Sequence, residues 1–158
     1  MSIEERINKL ETELNELKSE LKQKEKSSRW KPNHRDIYYY LNHNSKISDA
    51  TYYNDAFDAG VMAIGNYFST KEEAEFEAER LKVLAEMKEF EESPDREWDG
   101  ENEHFCIYWS FYRNCIGIDY KTESKHNEIY FESKEIAEKC MSKVGADRIK
   151  KYYCRVKE

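Results

Sequence analysis

The chain opens on a heptad. From Ile3 the apolar residues fall at Ile3, Ile7, Leu10, Leu14, Leu17 and Leu21, in alternating steps of four and three. Ile7, Leu14 and Leu21 take the a positions, and Ile3, Leu10 and Leu17 the d positions. So narrow a seam has nothing to bury it on a lone helix. It asks for a partner, either copies of itself in a homo-oligomer or the body of the same chain. Flanking charges favour a parallel pairing, in which Arg6 meets Glu11 and Glu13 meets Lys18; the antiparallel one sets Glu11 on Glu11 and Glu13 on Glu13. Each such exposed pair contributes only about 0.3–0.5 kcal/mol. Leu at two of the three a positions leaves dimer, trimer and tetramer open. Three heptads alone are marginal, so the body is expected to add contact surface. Lys24 then falls on a d position and Pro32 forbids continuation. The expected division is an oligomerisation helix over 1–29 and a folded domain over 30–158.

That domain is long enough for a real core. Aromatic residues reach 14% and include twelve tyrosines, while charged residues reach 37%. A disordered chain would be poor in rings, so this one folds, on large side chains with polar tips. The net charge of −7 argues against non-specific nucleic-acid binding. No apolar run approaches the roughly 20 residues that span a bilayer, and no signal peptide opens the sequence, so neither a membrane nor export is expected. Cys106, Cys115, Cys140 and Cys154 form no CxxC pair, which reads as reduced thiols in a cytoplasm.

Ile37 to Leu41 reads as a strand, residues 42–45 as a turn and Lys46 to Tyr53 as a return strand. Residues 54–60 read as a loop, and Val61 to Phe68 as a further strand with Gly65 as a bulge. Thr70 opens a helix with Glu73 at the capping-box spacing, running to about Glu92 before Pro94. This helix carries two apolar stripes. Ala74, Ala78, Leu81 and Ala85 suit close packing on a sheet. Phe76, Val83, Met87 and Phe90 lie on another face, expected either to meet another helix or protomer or to be buried under a loop of the same chain.

The second half continues with a strand from His104 to Tyr112, a turn at Arg113–Asn114, a strand from Cys115 to Tyr120, a polar turn and a strand from Glu128 to Phe131. Ser133 caps a helix that breaks at Gly145 and resumes from Asp147 to about Tyr153. The segments from Tyr67 to Glu75 and from Tyr130 to Glu138 both read YF-x-[ST]-K-E-x-A-E, offset by 63 residues. The expected fold is therefore α+β: a coiled-coil helix, then two pseudo-repeated strand-and-helix units, about 30–93 and 104–158, with an antiparallel sheet or two.

Charge is distributed unevenly. Residues 72–103 hold fourteen acidic against four basic side chains, and the chain beyond Met141 holds six basic against two acidic. Such runs are solvated faces, an acidic surface for a basic partner, or a basic corner for an anion.

No phosphate loop, dinucleotide fingerprint, HExxH or GxSxG occurs, and five glycines leave little room for one. A zinc site from His104 and the cysteines is a distant alternative, and no cofactor is expected. What remains is binding. Tyr38, Tyr40, Tyr108 and Tyr112 sit on one side of their strands, where they either line a pocket or pack flat with their hydroxyls at the surface. Arg35, Arg113, Lys150, Lys151 and Arg155 are cations within reach of such a pocket and suit a phosphate.

The heptad arm, Trp30-Lys31-Pro32, Ile37-Tyr38-Tyr39-Tyr40, the run from Gly65 to Glu75 leading into Glu79-Arg80-Leu81-Lys82-Val83, His104 to Tyr108 and Val144 to Tyr152 together resemble a group of small proteins from phages and prophages of Firmicutes. The likeness spans nearly the whole chain and carries no established activity. It implies a phage accessory protein made in a bacterial cytoplasm, a class that acts against host defence. The leading expectation is a non-enzymatic oligomer that sequesters a small nucleotide-type immune signal. The alternatives are a protein-directed inhibitor of the anti-CRISPR kind, offering its acidic surface to a defence nuclease, and a structural or assembly adaptor.

Overall fold

A computed structural model of the chain describes residues 6, 9–15, 29–123 and 129–156. Residues 9–15 are helical, as the heptad predicts, with Leu10 62% and Leu14 51% exposed. Ile3, Ile7, Leu17 and Leu21 lie outside the described residues.

The domain contains β1 (Ile37–Leu41) and β2 (Ile47–Thr51), α1 (Ala56–Ala63), α2 (Lys71–Lys88), β3 (His104–Ser110) and β4 (Cys115–Lys121). α3 (Lys134–Val144), a single α turn α4 (Ala146–Arg148) and a π-helical turn (Ile149–Tyr153) follow. The class is α+β, with two separate antiparallel hairpins, β1–β2 and β3–β4. In the first, Tyr38 faces Ala50 and Tyr40 faces Ser48; in the second, Ile107 faces Ile118 and Trp109 faces Ile116.

The stretch from Val61 to Phe68 is not a strand. α1 occupies its first part, because Asp55 and Asp58 form a capping box: Asp58 N–H donates to the Asp55 carboxylate at 2.9 Å and Asp55 N–H to the Asp58 carboxylate at 3.2 Å. Gly65, at φ +69°, belongs to the turn that leaves this helix and is not a bulge. Only Phe68 pairs, exchanging two backbone hydrogen bonds with Tyr39. Phe131 does the same with Phe105, and Thr70 and Ser133 then cap α2 and α3. The two YF-x-[ST] segments thus do the same local job. The likeness stops there, since α1 has no described counterpart and the far end of α2 packs in the core of the second half. β3 ends at Ser110, two residues short of the expected Tyr112, because a four-residue turn takes Phe111 to Asn114.

Two apolar clusters result. Tyr38, Val61 and Tyr67 form a small one beneath the first hairpin. Val83, Leu84 and Met87 of α2 form the larger one with Ile107, Ile129, Phe131, Cys140, Val144 and Ile149. This reverses the expected use of the stripes on α2. Ala74 is buried, but Leu81 and Ala85 are exposed. The Phe76 stripe is the inner one, and it is covered by the same chain, with the Phe76 and Tyr152 rings 5.1 Å apart.

Buried polar groups are matched to this frame. The Tyr38 hydroxyl donates to Asp58 at 2.8 Å, and the other Asp58 oxygen accepts from Tyr53 N–H at 2.8 Å. Burial pushes the Asp58 carboxyl up, but these hydrogen bonds outweigh it and hold it below the usual carboxylate range. A carboxyl depressed on folding adds stability above its unfolded pKa, and that stability is lost as the pH falls through the folded value. Tyr38→Phe is therefore expected to cost about 1.5–3 kcal/mol at neutral pH. In denaturant titrations the cost should shrink toward acid pH, where Asp58 takes up a proton.

Candidate functional site

The nine cations and tyrosines singled out from the sequence do not converge. Tyr38 is a core residue. Tyr40 is half-buried, its ring 5.3 Å from that of Phe57. Arg35 lies exposed at the foot of the first hairpin, its N–H bonded to Tyr52 O. Tyr108 lies flat across its neighbour strand on Gly117, where a Cβ would meet the ring at 2.8 Å. Tyr112 and Arg113 are exposed at the tip of the second hairpin, and Lys150 sits 4.7 Å from the centroid of the Trp109 ring. Lys151 and Arg155 alone line large cavities.

Those cavities form the candidate site. One, of about 730 Å³, lies between the β1–β2 turn, α2 and the π turn, lined by Lys46, Glu75, Lys151 and Tyr152 among others. The other, of about 560 Å³, lies between the start of the domain and α2, with walls of Trp30, Tyr67, Phe68 and Phe76 and with Arg29 and Arg155. Glu72 and Phe76, one helical turn apart, line both. They make one groove with a ring-rich end and a lysine-bearing end.

Each wall has a local cause. Arg148 grips Glu86 through two hydrogen bonds of 2.7 and 2.9 Å, and Lys143 meets Glu89 at 2.8 Å. The Arg148 hydrogen bond, foremost, holds the Glu86 carboxyl below its usual range. The acidic and basic stretches of the sequence thus face each other here, setting Tyr152 against Phe76. At the other end the Arg29 guanidinium donates to Gly65 O and Tyr67 O and lies 4.3 Å from the Tyr67 ring centroid. The turn requires glycine at 65 because φ is +69°; a Cβ there would fall 2.6 Å from the tip of the Arg29 side chain, which would have to shift.

Within the groove Lys71 pairs with Glu75, Lys82 with Glu79, Glu77 with Arg80 and Glu73 with Ser69. Among the described residues Lys46, Lys151 and Arg155 make no ion pair. Glu72, which lines both cavities, makes no ion pair either, so the three cations at the ends of the groove outnumber it, and with the rings between them they fit a ligand with a flat ring and an anionic group. Arg29, Trp30, Tyr67 and Tyr152 escaped the sequence reading; the Phe76 stripe was the signal that pointed this way.

A second cluster is structural. His104 is fully buried, with Nδ1 2.7 Å from Glu92 and Nε2 3.2 Å from Glu97 O, and Trp98 stacks on its ring at 3.7 Å. Both ring nitrogens face acceptors, so His104 clamps the 92–104 loop. Glu92 is drawn inward to it, which ends α2 at Lys88 and not at Glu92. The acidic surface expected over 72–103 accordingly loses Glu86, Glu89 and Glu92 to internal partners. Burial also pushes the Cys140 and Cys154 thiols up to about 11, so neither is a nucleophile at neutral pH. Among the described residues no three His, Cys, Asp or Glu side chains are grouped to hold a metal ion, and no helix is long and apolar enough to cross a membrane.

Glu92→Lys should destabilise the fold by about 3–5 kcal/mol, the cost of breaking a buried pair. Glu91→Lys, on an exposed neighbour, should stay within about 0.5 kcal/mol of the parent in chemical denaturation. Comparison with protein-family models, curated proteins and solved structures finds no match for this chain.

Proposed function

We propose that this chain is a non-enzymatic phage accessory protein, tethered into an oligomer by its amino-terminal arm, that sequesters a nucleotide-type host immune signal in the groove across Phe76. The observation that carries this reading is the groove itself: Trp30, Phe68 and Phe76 as stacking surfaces, with Arg155 and Lys151 at its two ends. A base stacks on rings without regard to its hydrogen-bonding edge, and phosphates meet the cations. The exposure of Leu10 and Leu14 on a helical arm supports the tether, because an isolated helix gains nothing by presenting them to water. The likeness to phage proteins supplies the bacterial cytoplasm as the setting. A protein-directed inhibitor acting through the acidic stretch draws less support, since Glu86, Glu89 and Glu92 are already paired with Arg148, Lys143 and His104 of the same chain.

Calorimetric titration with ADP-ribose, ATP and cyclic dinucleotides is expected to give saturable heat for at least one of them. Phe76→Ala and Arg155→Ala should each weaken that affinity at least tenfold while leaving the unfolding midpoint in place for Arg155→Ala. Absence of heat and of thermal stabilisation across all three classes would remove the proposal.

A further inference from the structure

The stretch from Tyr108 to Ile118 carries one charged residue, Arg113, in a chain of which 37% is charged. It holds four rings and no carboxylate. β3 and β4 carry this stretch to a hairpin tip where Phe111 is 84% and Tyr112 98% exposed, the two most exposed large apolar side chains among the described residues. The tip is firmly built. Seven residue pairs register the strands, Arg113 N–H donates to Ser110 Oγ at 3.2 Å, and Asn114 turns the chain at φ +50°.

Its flank is basic. Lys150, on the carboxyl-terminal segment with its six basic and two acidic residues, lies over Trp109. Of the nearby carboxylates, Asp119 lies opposite Cys106, four residue pairs from the tip, and pairs with Lys121 at 3.3 Å, while Asp147 lines a cavity with Arg148, Lys150 and Lys151. Two bare rings on a narrow convex tip make a poor floor for a small ligand, which needs a concave wall. They suit insertion into another surface. The lack of any carboxylate over eleven residues, together with the cations behind, selects an anionic one. Rings settle at the headgroup level of a bilayer while Arg and Lys meet its phosphates, and a surface anchor needs both signals.

We infer that the β3–β4 tip is a contact for anionic lipid surfaces, with Phe111 and Tyr112 entering the headgroup layer and Arg113 and Lys150 holding phosphates. One tip binds weakly; several on one oligomer add through effective concentration. This contact is separate from the Phe76 groove and does not depend on what the groove holds.

Co-sedimentation of the intact chain with vesicles of phosphatidylglycerol and phosphatidylethanolamine, against vesicles of phosphatidylcholine, tests the inference. The bound fraction should be at least fivefold higher on the anionic vesicles and should fall with added salt. The double variant Phe111→Ser with Tyr112→Ser, and separately Arg113→Glu, should each reduce it to the phosphatidylcholine level with the unfolding midpoint unchanged. The inference is overturned if the intact chain does not sediment with anionic vesicles, or if both variants sediment as well as the parent. It is equally overturned if the tip variants lower the native mass in lipid-free buffer, which would make the tip a contact between copies.

Discussion

The docking of the carboxyl-terminal segment onto α2 is the constraint from which the rest of the domain follows. Two of its contacts differ in kind, and their magnitudes assign their roles. Ile149 is fully buried against the Val83 and Met87 face, worth about 1.5–3 kcal/mol for a side chain of its size. The Arg148–Glu86 pair is more than a third exposed, so solvent screening leaves it about 1 kcal/mol or less. Adhesion is therefore apolar, and the ion pair sets register. Because Arg148 and Ile149 are adjacent, fixing one aims the other, and the π turn that follows brings Tyr152 to Phe76. π turns are rare and recur at functional sites; here one shapes a groove wall.

The same helix also explains why the two hairpins never merge into one sheet. α2 is eighteen residues long, or about 27 Å at 1.5 Å per residue. Its first turns face β1 and β2, and its last turns face the second core. The hairpins are set along it like two brackets on a rail. Each is closed by a single reciprocal bridge, to Phe68 and to Phe131, where a third strand would otherwise have begun.

What was legible in the sequence was what is decided locally. Thr70 and Ser133 announce their helices because a cap is satisfied within four residues. The hairpins were legible because alternation and a polar turn suffice. α1 was not, since a run holding Val61, Ile64, Tyr67 and Phe68 reads as strand, and the Asp55–Asp58 box, ending three residues before Val61, outweighs that propensity. Alternation in β1 separated Tyr38 and Tyr40 from Tyr39, but it cannot say which side is inside; Asp58, twenty residues away, settles that by giving the Tyr38 hydroxyl a buried acceptor. In β3 Ile107 and Cys106, on opposite sides of the strand, are both buried. The groove was illegible for the same reason. Its walls come from residues within 29–30, 45–47, 67–82 and 151–155, and only the fold brings them together. The heptad stands apart, for it describes a contact with something a single chain does not contain.

The central claim is that the ring-rich groove, and not the more conspicuous tyrosines of the strands, is where a nucleotide-type ligand sits. The three tryptophans report on it separately: Trp30 lines the groove, Trp98 stacks on His104, and Trp109 lies under Lys150. Titration of ¹⁵N-labelled protein with ADP-ribose or a cyclic dinucleotide should move the Trp30 indole N–H resonance in a saturable way while those of Trp98 and Trp109 stay in place. A Trp30 resonance that does not respond, or a response confined to Trp109, would contradict the account.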